Sequence, residues 1–224
     1  MAQIAEDLFL LLLDNASAQP ALERQRRERV LAAAVLLDLA LACRVRPSAP
    51  GDAVQPGFLV ALRAGNATDP VVEPAFALLQ KQPLSPARAV AKVAKDVQDN
   101  VALHLERLGQ ISRVRVPSSR FNTVYAWPLT RRERVAAART DLLAALFDRR
   151  PPTPATAAII TVLHAADGLG ALLSLNDRGW RWVHSRATEI ASGSWVDEYP
   201  TAYPTPLPEV NLAVTASALR STLS

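Results

Sequence analysis

A chain of 224 residues, half of them hydrophobic, with 17 prolines and 8 glycines, is long enough for a real core and reads as one globular domain over residues 1–224. The single cysteine, Cys43, excludes an intrachain disulfide and a cysteine-based zinc site and fits a reducing compartment. A formal charge of +4 and a pI near 9.7 point to anionic partners, phospholipid headgroups or nucleic acid, without choosing between them. Lysine occurs only at 81, 92 and 95, so the positive charge is almost all arginine. Its planar fork suits phosphate, although genome composition produces the same bias.

The chain opens with Glu6-Asp7 followed by six apolar residues and Asp14. It lacks the basic head of a signal peptide, and no window reaches the roughly 20 apolar residues of a membrane span. A short buried or amphipathic helix is expected, with its acids in the first turn where the helix dipole favours them. The protein is expected to be cytoplasmic, at most peripheral to the inner face of a membrane. From Arg24 to about Cys43 a basic head (Arg24, Arg26, Arg27, Arg29) leads into a run that is apolar nearly all round, the pattern of a central buried helix. Asp38 is the only charge in that run and must be paired or hydrogen-bonded, because burying it alone costs several kcal/mol.

Short strands at 44–46 and 58–62 could pair as a hairpin. Asp69-Pro70 and Ser85-Pro86 each supply a cap and a first-turn proline, predicting helices at 69–80 and from 85 to about Lys95, the second either ending there or running on through Val97, Val101 and Leu105 to Leu108, with Gly109 as its carboxy-terminal cap. Residues 110–127 alternate around a polar turn and predict a β-hairpin. Its Val114, Val116, Phe121, Val124 and Tyr125 cannot all be buried on one face, so the hairpin is expected to cover a partner or enter a membrane. A helix follows from Thr130, as cap, to Phe147, then helices at 155–175, at 178–191 and, after a proline-rich loop at 197–208, to about 223. The fold class is therefore mainly α: a helical domain around a central buried helix, with short β-hairpins.

Arg131, Arg132, Arg134 and Arg139 crowd the start of the 130–147 helix, where the dipole disfavours cations unless an anion sits among them. With Arg26 and Arg29 they form the candidate anion or headgroup site: Arg26, Arg29, Arg131, Arg134 and Arg139. The alternative is a solvated, salt-bridged face, since Glu23, Glu28 and Glu133 are interleaved. His164 and Asp167 share a helical face, but a satisfied buried histidine is favoured over acid–base or metal chemistry. His104 and His184 lack metal-ligand spacing. Trp180, Trp182 and Trp195, with Arg178, Arg181 and Arg186, read as an interfacial belt or, for at least two of the tryptophans, as core. No metal, cofactor, nucleophile elbow or phosphate loop is expected.

Ile4-Ala-Glu6-Asp7-Leu8, Ala34-Val-Leu-Leu-Asp38-Leu-Ala-Leu41-Ala-Cys-Arg44-Val45, Leu108-Gly109, Pro128-Leu129 and Leu163-His164-Ala-Ala-Asp167 occur in an order that resembles the Golgi phosphoprotein 3 family over nearly the whole chain, in the form of a bacterial member. The resemblance implies a mostly helical, non-enzymatic protein. Eukaryotic members bind phosphatidylinositol 4-phosphate, tether glycosyltransferases and use the hairpin for self-association and membrane contact. The family's lipid-binding tryptophan falls on Glu23 and its first basic position on Ala32; Arg134 and Arg139 lie at or beside later basic positions, and Arg26, Arg29 and Arg131 would supply compensating charge. The leading expectation is a peripheral adaptor for anionic phospholipid, with homo-oligomers and protein clients as further partners. A module that oligomerises through the hairpin is the alternative, and an enzyme or nucleic-acid binder a third.

Overall fold

A computed structural model describes residues 3–62, 69–116, 124–196 and 207–223. Its elements are α1 (Gln3–Leu13), α2 (Arg24–Leu41), β1 (Val45–Pro47), β2 (Leu59–Ala61), α3 (Glu73–Lys81), α4 (Pro86–Val93), α5 (Val97–Arg107), β3 (Val114–Val116), β4 (Val124–Ala126), α6 (Glu133–Phe147), α7 (Pro154–Ala165), α8 (Asp177–Ala191) and α9 (Leu207–Arg220). The mainly α class is observed, with two two-stranded antiparallel sheets, β1–β2 and β3–β4. The loop expected at 197–208 falls largely outside the described residues.

The central helix is α2. Every residue from Val30 to Ala40 is buried, and the helix touches α1, α4, α5, α7 and α9. Such enclosure follows from a sequence with no polar stripe after Arg29. Helix α1 is buried from Ile4 to Leu13, and side chains from Ile4 through Leu223 belong to one hydrophobic cluster.

Asp38 joins these two helices. Its carboxylate accepts the Ile4 N–H (2.9 Å) and the Ala5 N–H (3.0 Å), although it stands 33 residues or more away in sequence. Two of the orphan donors at the start of α1 are thereby capped from inside the core. Burial pushes the Asp38 carboxyl up to about 8, against the opposing effect of the two N–H donors.

Several boundaries differ from expectation for local reasons. The helix from Ser85 ends near the expected Lys95 rather than running on to Leu108, with residues 94–96 separating α4 from α5. The helix predicted at 155–175 stops at Ala165: Asp167 adopts φ 50°, the Gly168 N–H returns to the Leu163 carbonyl at 2.7 Å, and a Cβ at Gly168 would lie 3.2 Å from Leu163 Cδ2. Thr130 does not cap α6. Its hydroxyl donates to the Gly109 carbonyl (2.7 Å) and its N–H to the Gln110 carbonyl (2.9 Å), fastening the hairpin exit to the end of α5. Gly109 is the expected terminator, with φ 64°. Cys43 lies beyond α2 rather than in it, half-buried, at φ 51°.

Removing the Asp38 carboxylate leaves two buried N–H groups without acceptors, so D38A should lose about 2–5 kcal/mol of unfolding free energy in urea titrations. The folded chain holds a proton on Asp38 that the unfolded chain, with a pKa of 3.8, releases at lower pH. This group's contribution is therefore full below the unfolded pKa and declines as pH rises towards 8. Stability should fall with pH across that window in the parent chain, and less steeply in D38N.

Candidate functional site

Of the five arginines singled out above, Arg134 and Arg139 are held by the chain's own acids. Arg134, in the first turn of α6, faces α1: its Nε donates to Asp7 Oδ1 at 2.6 Å and its Nη1 to Glu6 Oε2. Arg139, further along α6, donates from Nε to Asp14 Oδ2 at 2.9 Å and from Nη1 to the Leu172 carbonyl at 3.4 Å. The anions among these cations are the chain's own carboxylates, and α6 packs on α1 through them. Burial raises the Asp7 carboxyl, and Arg134 opposes that rise. The cleft beside Arg134, about 350 Å³, also has Asp7 and Asp141 in its wall, which disfavours a second anion there.

The head of α2 is similarly occupied. Glu23 is the N-cap, accepting N–H bonds from Gln25 (3.1 Å) and Arg26 (3.2 Å), and those donors hold its carboxyl below the usual range. It fills the anion position at the helix start. Arg24 pairs with Glu28 at 2.8 Å, and Arg27 bonds to Gln98 and to the Pro20 and Leu22 carbonyls. Arg26 is half-buried, with Nη1 3.4 Å from the Asp167 carbonyl, and Arg29 is half-buried in the second turn. Here the salt-bridged face describes the geometry better than an open site.

Exposed basic charge gathers elsewhere. From Arg107 to Arg132 the sequence has six arginines and no aspartate or glutamate. Of these, Arg120 lies outside the described residues, and Arg107, Arg113, Arg115, Arg131 and Arg132 are all exposed. The pairing explains their grouping: Val114 faces Ala126, Arg115 faces Tyr125, Val116 faces Val124, and an isolated bridge joins Ile111 to Leu129. Alternation puts Arg113, Arg115 and Tyr125 on one face, and the Arg113 guanidinium stacks 3.7 Å from the Tyr125 ring centre. Val114, 46% exposed, occupies the other face, while Val116 and Tyr125 are half-buried. Phe121 and the Val124 side chain lie outside the described residues. Arg132 reaches one oxygen of Asp14 only at 3.5 Å with its side chain 75% exposed; Arg131 makes no ion pair with a described residue. The ribbon is anchored by Trp127, whose N–H donates to the Ala18 carbonyl (2.7 Å) and whose ring meets Phe9 edge-on. The sequence signal for this surface is the long interval without an acid, which lies outside the helix starts.

The sequence profile of the Golgi phosphoprotein 3 (GPP34) family matches residues 4–200. The chain belongs to the Golgi phosphoprotein 3 family. No curated protein matches it. The family match spans both the central helix and the arginine-bearing ribbon of this Golgi phosphoprotein 3 domain. No helix among its described residues is long and apolar enough to cross a membrane.

The remaining clusters are mostly structural. His164 Nε2 lies 3.1 Å from the Thr188 hydroxyl, and burial, then His184, lowers its pKa. Trp195 is buried, Trp180 packs against the core, and Trp182 is 50% exposed beneath Arg149. Arg186 is no belt residue: it is buried, donating to the Ala145 carbonyl and Glu189. Glu6, Asp69 and His104, 98 residues apart end to end in sequence, are brought together in space.

Substituting Arg134 by alanine strands two buried carboxylates and should cost about 2–4 kcal/mol at neutral pH. Without the guanidinium nothing opposes the burial that raises the Asp7 carboxyl, so the folded chain binds more protons and is relatively stabilised as pH falls. Melting temperatures of R134A should therefore approach those of the parent chain as pH is lowered from about 7 towards the carboxylate range.

Proposed function

We propose that this Golgi phosphoprotein 3 family member is a non-enzymatic peripheral membrane adaptor, acting as one folding unit, that docks on anionic phospholipid at a cytoplasmic membrane face through residues 107–132. The observation that carries this reading is the acid-free interval with five exposed arginines beside an exposed Val114. Near an anionic leaflet each basic residue contributes about 1 kcal/mol, so this set is worth about 4–5 kcal/mol before any apolar contact. The reading moves the principal contact from Arg134 and Arg139, which hold α1, to Arg113, Arg115, Arg131 and Arg132. Because Glu23 stands at the start of α2, charge density rather than a particular inositol phosphate governs recognition.

The alternative, oligomerisation through the same ribbon, draws support from Val114 and Leu108, which are 46% and 47% exposed. Deleting residues 112–124 would then lower the oligomeric mass.

Sedimentation with vesicles of phosphatidylcholine alone and of phosphatidylcholine with phosphatidylserine tests the membrane reading. Binding should require the anionic lipid and collapse between about 0.1 and about 1 M salt, where the screening length shrinks from about 10 to about 3 Å. Replacing Arg113, Arg115, Arg131 and Arg132 together by glutamine should weaken binding roughly hundredfold or more. Undiminished binding by that folded variant would overturn the assignment.

A further inference from the structure

We propose that Glu6, Asp69 and His104 form a binding site for one divalent transition-metal ion, of the zinc type, that clips α5 and the lead-in to α3 onto α1. The three residues come from α1, the turn before α3 and α5, and their candidate ligand atoms all lie within 4.8 Å of one another. The edge between His104 Nε2 and Glu6 Oε1 is 3.5 Å. An ion bonded at about 2.0–2.2 Å holds tetrahedral N and O donors about 3.3–3.6 Å apart, so that edge already has the required length. Asp69 has to approach by little more than about 1 Å, within reach of a side-chain rotation.

Both carboxylates are oriented from behind, as ligating carboxylates are. Glu6 Oε2 accepts from Arg134 Nη1, which leaves Oε1 towards His104, and Asp69 Oδ1 accepts the Val71 N–H at 3.0 Å, which leaves Oδ2. Charge supplies a separate argument. Glu6 and Asp7 are both buried, and with Asp69 they make three carboxylates against the single guanidinium of Arg134. Three acids gathered around one guanidinium favour a further cation, which a divalent ion supplies. One imidazole with two carboxylates suits zinc, manganese or cobalt, whereas calcium and magnesium favour all-oxygen shells.

The full-length chain, stripped with a chelator, is titrated with zinc by calorimetry and with cobalt(II) by visible absorption, and its melting temperature is followed in parallel. The expected result is one ion per chain, a higher melting temperature on loading, and a cobalt band of low-coordinate type. H104Q and D69N should each weaken zinc at least tenfold, while C43A, which removes the only thiol, should bind like the parent. Affinity should fall on acidification, as protons compete for the imidazole. No saturable binding to the parent chain, or equal affinity in both H104Q and D69N, would overturn the proposal. The first result would leave His104 and Glu6 as an ordinary ion pair; the second would place the ion elsewhere.

Discussion

The Asp38 carboxylate, 5% exposed and holding the Ile4 and Ala5 N–H groups, is the contact on which the arrangement of the core depends. Helices α1 and α2 are apolar almost all round, and apolar contact is non-directional, so two such rods could slide or rotate past each other at little cost. The paired hydrogen bonds fix their register because any other alignment leaves buried donors and a buried carboxyl without partners. With α1 placed, its acids are placed too: Glu6 and Asp7 meet Arg134, and Asp14 meets Arg139.

That second tier of charge decides what remains for function. Arg134 and Arg139 of α6, which look out of place near a helix start, are internal counter-ions of α1, and at the head of α2 Arg24 is paired with Glu28 while Arg27 is bonded to Gln98 and the Pro20 and Leu22 carbonyls. The β3–β4 ribbon and its exit keep five exposed arginines, with Glu106 accepting the Arg113 N–H at 3.2 Å and Asp14 lying 3.5 Å from Arg132 at its margin. The ribbon can present charge because it is tied down at its base, by Trp127 to Ala18 and Phe9 and by Thr130 to Gly109 and Gln110, rather than by its own exposed face.

The parts of this fold legible in the sequence are those set by nearby residues. The apolar run of α2, the need of Asp38 for a partner, the helix start at Ser85-Pro86, the terminator Gly109 and the alternation at 110–127 all act within a few positions. What was not legible depends on residues far apart. Arg134 and Glu6 are 128 positions apart, so helix-dipole reasoning at α6 detected a missing anion correctly and could not know that the chain supplies it. Thr130 has the chemistry of a cap, but the competing carbonyl at Gly109 is created only when α5 and the hairpin meet. The division of α4 from α5 has no proline or glycine to announce it.

The central claim is that anionic surfaces meet the ribbon and its exit while the arginines of α2 and α6 stay on internal partners. Hydrogen–deuterium exchange with and without phosphatidylserine-containing vesicles tests it most directly. Protection confined to peptides covering 107–116 and 124–132, with 24–29 and 133–139 unchanged, is the predicted result. Protection of 24–29 and 133–139 with the ribbon unaffected would contradict it.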